Sequence, residues 1–334
     1  MQISALRNTV RAELASFAWG QWTQLGVFAP AQRSDNWAMD PEALLLFTFE
    51  VGRSDPRLLD EALDWLLANQ RLISIQRLRN FAIDDEDREL VEAAVAWVEL
   101  RQPKTGRSSL RPRSSGREEQ RLFRTLAQEI IDPDPAFLSV GFLKPNTEPS
   151  RKSVSPDPTQ PINFAFRTRL LFGVGSRAEV IRYLLTVPAP DASTSMVAEA
   201  AGYARRNIRD TLAALVGSRL VASYEHGNEN RFYINRFLWS QLFEFKPDTW
   251  PTYREWPRLM LALRRVARWC ERADLGQLSD YMLGSEARIL ARAIQDDIAM
   301  SGMRVTLPAE LAGEGYWPAF TGAMTAALSS LNVT

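Results

Sequence analysis

Arg205, Arg206, Asn207 and Arg209 crowd one turn of a segment in which Ile208, Leu212 and Leu215 recur at helical spacing. A guanidinium fork matches guanine O6 and N7, and an asparagine amide matches adenine N6 and N7, each pair contributing about 1–3 kcal/mol of discrimination. The first turn of a helix laid in the major groove is where such side chains meet base edges. The same residues on a solvated helix face would instead meet water or a protein surface. Thr194 and Ser195, at the start of the preceding TSMVAEAAG, join this candidate DNA-contacting set, as do Asn228, Asn230 and Arg231 around Gly227-Asn228. Such a turn can bring Arg231 to a phosphate or the minor groove, although turn chemistry alone also places asparagine beside glycine.

Other chemistries find few residues. The single histidine, His226, sits beside Gly227 in a turn, with no serine, cysteine or carboxylate dyad at diagnostic spacing, so it reads as a surface histidine and the chain as no enzyme. One histidine and one cysteine leave zinc without its usual ligands, and Cys270 alone cannot form an internal disulfide. Cys270 lies on an apolar helical face and reads as core. Gly173, Gly175 and Ala178 satisfy G-x-G-x-x-A with Asp191 downstream, but helices rather than βαβ units follow Pro188, so no dinucleotide is expected. No cofactor and no metal are expected.

The elements that must position the arginines are short. Ser176 and Glu179 fit an S-x-x-E capping box for a helix carrying Val180, Ile181, Leu184 and Leu185 on one face, closed by Pro188. TSMVAEAAG is a second helix ended by Gly202, and YARRNIRDTLAALVGSRLV a third. ASYEHGNENRFYIN gives two short strands, Phe232 and Ile234 on one face and Arg231 and Tyr233 on the other. The register of Val197, Gly202, the turn plug Tyr203, Ile208, Leu212, Leu215, Leu220 and Val221 resembles the DNA-binding domain of bacterial winged-helix regulators of the ArsR/MarR kind, over residues about 165 to 238.

The resemblance implies three helices with a β-hairpin wing and a sequence-specific regulator of transcription on double-stranded DNA. Ala204 departs from it, because a small polar residue usually starts the recognition helix and alanine accepts no capping bond. The metal-sensing cysteines of some such regulators have no counterpart here. One recognition helix reads few base pairs, so a homodimer on a pseudo-palindrome is expected. The competing class is an antitoxin-like or other protein-interaction subunit that turns the same fold toward a protein partner.

With 334 residues, 46% of them hydrophobic, the chain has material for two or three units. Lys+Arg and Asp+Glu balance at 40 each, so nucleic-acid affinity must be local; between Arg167 and Arg236 ten arginines face six acidic residues. The N-terminus has no clean apolar run, and the stretch from Ala43 to Val51 is too short to span a bilayer, so no membrane is expected and the cytoplasm is the simplest location.

The fold class predicted is mainly α, with a central winged helix-turn-helix between two helical units. Residues 1–100 form the first unit: Asp40-Pro41 and Asp55-Pro56 start helices, Leu58, Leu59, Ala62, Leu63, Leu66 and Leu67 make one stripe, and Leu90, Val91, Ala94, Val95 and Val98 make another after Asp84-Asp85-Glu86-Asp87. With the short polar helix ISIQRLRNFA between them, their order echoes a degenerate second winged helix. Residues 101–161 read as linkers: a basic stretch to 118 whose arginines 107, 111, 113 and 117 offer phosphate contacts, a short helix near Glu119 to Ile131, then a proline-rich connector. The winged helix takes residues 162–240. Residues 241–334 form a third, helical unit, in which Leu259, Leu263, Val266 and Cys270 oppose a wet side of Arg258, Arg264, Arg265, Arg268 and Arg272, and Ile289, Leu290, Ala293, Ile294 and Ile298 stripe a further helix. No tryptophan lies between 98 and 238, so large core residues are not expected there, and the connectors are expected to isolate the first unit from the rest.

Overall fold

Asp40 and Asp55 each cap a helix that begins at the following proline, accepting from the amides of Ala43 and Leu58 at 3.2 Å. The computed structural model describes residues 2–29, 37–102, 118–245, 250–303, 305–308 and 313–331; the linker arginines 107, 111, 113 and 117 lie outside them. The chain is mainly helical. Its first half holds α1 (Gln2–Gln24), α2 (Pro41–Val51), α3 (Pro56–Asn69), α4 (Ile75–Phe81) and α5 (Asp85–Arg101). Among the described residues, this half has no hairpin such as a second winged helix would need.

All eleven residues of α2 are buried, because PEALLLFTFEV is mostly apolar and its two glutamates, Glu42 and Glu50, are paired with arginines. The covering comes from both ends of the chain. α1, α3, α4 and α5 pack around α2, and so does α12 (Trp256–Cys270). One hydrophobic core therefore runs through α1–α5, α12, α13 (Asp280–Met300) and α14 (Tyr316–Ser330). The separate C-terminal unit read from the sequence is replaced by a shared core, since the Leu259, Leu263 and Val266 face of α12 needs a partner and α2 supplies it. On α13 the buried stripe is Leu283, Ala287, Leu290, Ile294 and Ile298, whereas Ile289 and Ala293 face outward.

Of the five arginines expected on the wet side of α12, Arg272, just past its end, is exposed, and the other four are not a solvated face. Arg264 is buried on Asp87, Arg268 reaches Glu50, Asp84 and Asp87 at 2.6 Å each, and Arg258 and Arg265 share Asp297 at 3.1 and 2.8 Å. These four are a seam that ties α12 to α2, α5 and α13. Glu50, buried at the C-terminal end of α2, is pushed up by burial and pulled below its ordinary range by Arg124 and Arg268.

Residues 118–163 are docked rather than free. No helix forms over Glu119 to Ile131; instead β1 (Gln120–Arg121) pairs in parallel with β2 (Phe142–Leu143), with α6 (Pro135–Leu138) between them. Leu122, Phe123, Phe137 and Phe142 enter the core, so phenylalanines supply the bulk that the missing tryptophans had suggested was lacking. The proline-rich run lies along α3 and the end of α1, where Arg151 N donates to Asp64 Oδ1 at 2.9 Å and Val154 N to Gly26 O at 3.0 Å. Proline stiffens this stretch, and Asp64 satisfies its amides.

A second core is built by α7 (Phe164–Phe172), α8 (Ser176–Thr186), β3 (Ala192–Ser193), α9 (Thr194–Ala201), α10 (Arg205–Gly217), β4 (Ala222–His226), β5 (Glu229–Tyr233) and α11 (Arg236–Phe243). The three strands form an antiparallel sheet in the order β3-β5-β4. Val180, Ile181, Leu184, Leu185, Val197, Ile208, Leu212, Leu215 and Val221 fill its centre, the positions that periodicity marks as apolar faces. No helix among the described residues is long and apolar enough to cross a membrane.

Candidate nucleic-acid interface

Gly202 ends α9 in the left-handed region, at φ 68°, its amide donating to Ala198 O at 3.0 Å. Ala204 then stands at the start of α10 without a side-chain cap. Ile208, Leu212 and Leu215 turn inward, which leaves Arg205, Arg206, Asn207 and Arg209 exposed on the other side. None of these three arginines makes an ion pair among the described residues.

The capping box expected at Ser176 does not form. Gly175 occupies the cap position without a side-chain bond, and Ser176 Oγ shares a 2.7 Å hydrogen bond with Thr211 Oγ1 on α10. Glu179 is drawn away because it is fully buried among three guanidinium groups, a stronger demand than one terminal amide.

The hairpin carries Asn228 and Asn230 exposed beside Gly227, whose φ is 59°. Arg231, half-buried, faces Asp191 at 3.6 Å and Glu229 at 3.5 Å. Tyr224 Oη donates to the same Asp191 at 2.6 Å. Thr194 and Ser195 are half-buried in the first turn of α9, which Ser193 caps, and β3 sets Ser193 opposite Arg231. The local arginine excess is also smaller at the surface than in the sequence. Arg169 and Arg182 are buried with Glu179, Arg167 lies 5.2 Å over the Phe243 ring, and Arg236 donates to Val187 O. Arg177, Arg205, Arg206, Arg209 and Arg219 remain exposed.

The two cores are joined by a buried junction that sequence reading missed. Asp40, Glu42 and Arg77 from the first core meet Arg169, Glu179 and Arg182 from the second, all 0–2% exposed. Arg77 donates to Asp40 and to Glu42, while its Nε reaches Ala201 O at 2.7 Å. Arg169 donates to both Glu42 oxygens, at 2.8 and 2.7 Å, and to Glu179 Oε1 at 2.6 Å. Arg182 Nε reaches Glu179 Oε2 at 2.9 Å. Burial pushes the Asp40 carboxyl up, but Arg77 and Arg182 more than reverse it; Glu179, buried likewise, is held far below the carboxylate range by Arg169, Arg77 and Arg182. Three carboxylates and three guanidiniums leave no net charge in the junction.

Around it, Tyr203 Oη and Ser74 Oγ lie 3.0 Å apart, and Asn80 Nδ2 donates to Gly202 O at 2.8 Å. The turn before α10 is thus bonded to α4, so Tyr203 does more than plug a turn. A Cβ on Gly202 would lie 2.6 Å from the Phe81 ring. Gly202→Ala is therefore expected to cost about 2–4 kcal/mol, combining left-handed strain with overpacking. Urea denaturation measures this, and a loss under about 0.5 kcal/mol, the ordinary surface level, would show that the turn relaxes away from α4.

Among the described residues no group of His, Cys, Asp and Glu is placed to hold a metal ion. Cys270 is buried in the shared core, where burial pushes its thiol up to about 12. No protein-family model matches the chain, and neither the curated proteins nor the solved structures compared with it provide a match.

Proposed function

We propose that this chain is a sequence-specific, double-stranded-DNA-binding regulator of transcription, with α8 to β5 acting as a winged helix-turn-helix of the ArsR/MarR type. α10 is its recognition helix and β4–β5 its wing. The observation that carries the reading is the first turn of α10: three exposed arginines and an asparagine with no ion partners among the described residues, on a helix whose opposite face is locked into a core. The order helix, strand, helix, helix, hairpin, with the first strand pairing the last, supports it.

A regulator of this kind works on a pseudo-palindrome as a homodimer, because one helix reads too few base pairs. α7 and α11 pack together through Phe172 and Trp239 and leave Leu170, Leu171, Phe237, Leu238 and Leu242 exposed, a surface suited to a second copy. Sedimentation is expected to show a dimer that Phe237→Glu/Leu242→Glu dissociates.

Arg205→Ala/Arg206→Ala should weaken binding to a sequence selected from a random duplex pool by about 10- to 1000-fold and flatten the salt dependence, since both phosphate attraction and base contacts go. Unchanged affinity in a folded double mutant would move the reading to a protein partner, as in an antitoxin-like subunit. One observation favours that second reading: the hairpin exposes Tyr224 and Tyr233, with ring centroids 6.2 Å apart, beside the acidic Glu225 and Glu229. Arg231→Ala, already partly neutralised in the chain, should weaken all duplexes little and equally.

A further inference from the structure

A cavity of about 260 Å³ lies where α9 of the second core meets α2, α4, α12 and α13 of the first. Leu46, Phe81, Met260 and Leu261 give it apolar walls, so a ligand there would have an apolar body. Its ionic lining is two arginines, Arg258 and Arg264, against three carboxylates, Glu199, Glu255 and Asp297. Arg258 bonds both Glu199 and Asp297, and Arg264 is matched by Asp87. Glu255 alone among the lining carboxylates makes no ion pair with a described residue.

Directly before α12, Glu255 is half-buried, and burial pushes its carboxyl above the ordinary range; the Tyr253 hydroxyl and the charge of Arg182 offset this only in part, and Asp40 adds to it. A half-buried carboxylate whose neighbours do not offset its burial is costly, and a cation brought by a ligand relieves that cost. The aromatic wall of Phe81 adds a surface that attracts positive charge. Neutral ligands would leave Glu255 as it is, and anions would be repelled by it.

We propose that this cavity is a binding site for a small primary amine with an apolar body, whose ammonium group pairs with Glu255. The site stands whether or not the chain binds DNA, and its test uses no DNA. Three probes of one shape and different charge separate the possibilities on the full-length chain: benzylamine, benzyl alcohol and benzoate, each titrated calorimetrically at neutral pH. Benzylamine is expected to bind at least about tenfold more tightly than the other two, and Glu255→Gln to weaken it about 10- to 100-fold, the range of a hydrogen bond to a charged group. Leu261→Trp, which fills the cavity from one wall, should abolish binding while leaving the cooperative unfolding transition in place. Equal binding of the three probes, binding of none, an unchanged amine affinity in Glu255→Gln, or amine binding that survives in Leu261→Trp would each overturn the proposal.

Discussion

A fragment lacking residues 1–160 is expected not to fold, although two proline- and arginine-rich stretches precede it. Truncation strips α12 of α1 and α2, baring a face that includes Leu259, Leu263 and Val266, and removes Ala38 O, which accepts from Trp256 Nε1 at 3.0 Å. α14 loses its packing on α1 as well. In the second core, Arg169 and Arg182 are left with Glu179 alone, so a buried cation has no counterion. Removing one side of a buried ion pair costs about 3–5 kcal/mol, and that alone approaches the whole stability of a typical domain, about 5–15 kcal/mol. Circular dichroism should show no cooperative thermal transition, and the fragment should aggregate through the bared apolar face. A soluble fragment that melts cooperatively would mean that the C-terminal helices form their own core, as the connectors alone suggest.

Arg77→Met is expected to be the most damaging single substitution at the junction, at about 3–5 kcal/mol. Methionine keeps much of the volume but removes the donors to Asp40, Glu42 and Ala201 O, leaving three carboxylates to two guanidiniums. Arg79→Met makes the control, because the Arg79–Glu92 pair is half-exposed, and exposed pairs contribute about 0–1 kcal/mol. The pH dependence separates charge from packing. In the native chain Asp40 and Glu179 are held below their unfolded values, so their contribution is complete above the ordinary carboxylate range, about pH 4, and is lost as pH falls through the lowered values. Without Arg77 those carboxylates protonate earlier on acidification. The deficit of Arg77→Met should therefore be largest at neutral pH and shrink as the pH approaches the carboxylate range. Urea titrations across that range measure it; a deficit independent of pH, or no larger than that of Arg79→Met, would make Arg77 a packing residue.

Much of the local architecture is legible in the sequence. Asp40-Pro41 and Asp55-Pro56 set two helix starts, Gly202 ends α9, the period of Ile208, Leu212 and Leu215 decides which face of α10 is exposed, and the alternation around Gly227 gives the hairpin. Each depends on residues a few positions apart, whose caps, turns and periodicity act before any tertiary contact forms. The candidate set on α10 follows from that local code.

What only the tertiary structure decided is where the charges go. Glu179 looks like a capping residue from Ser176 and becomes a junction residue because Arg77 and Arg169 reach it; Arg77 and Glu42 stand 35 positions apart, and Arg182 and Asp40 stand 142 apart. The arginines of α12 look solvated because the sequence shows their helix and not the acids of α2 and α5 opposite them. An apolar period says that a face is buried and not what buries it. α2, mostly apolar, is covered by helices from both ends of the chain, and a charged residue at such a boundary is paired or solvated according to neighbours that only the packed fold brings within reach.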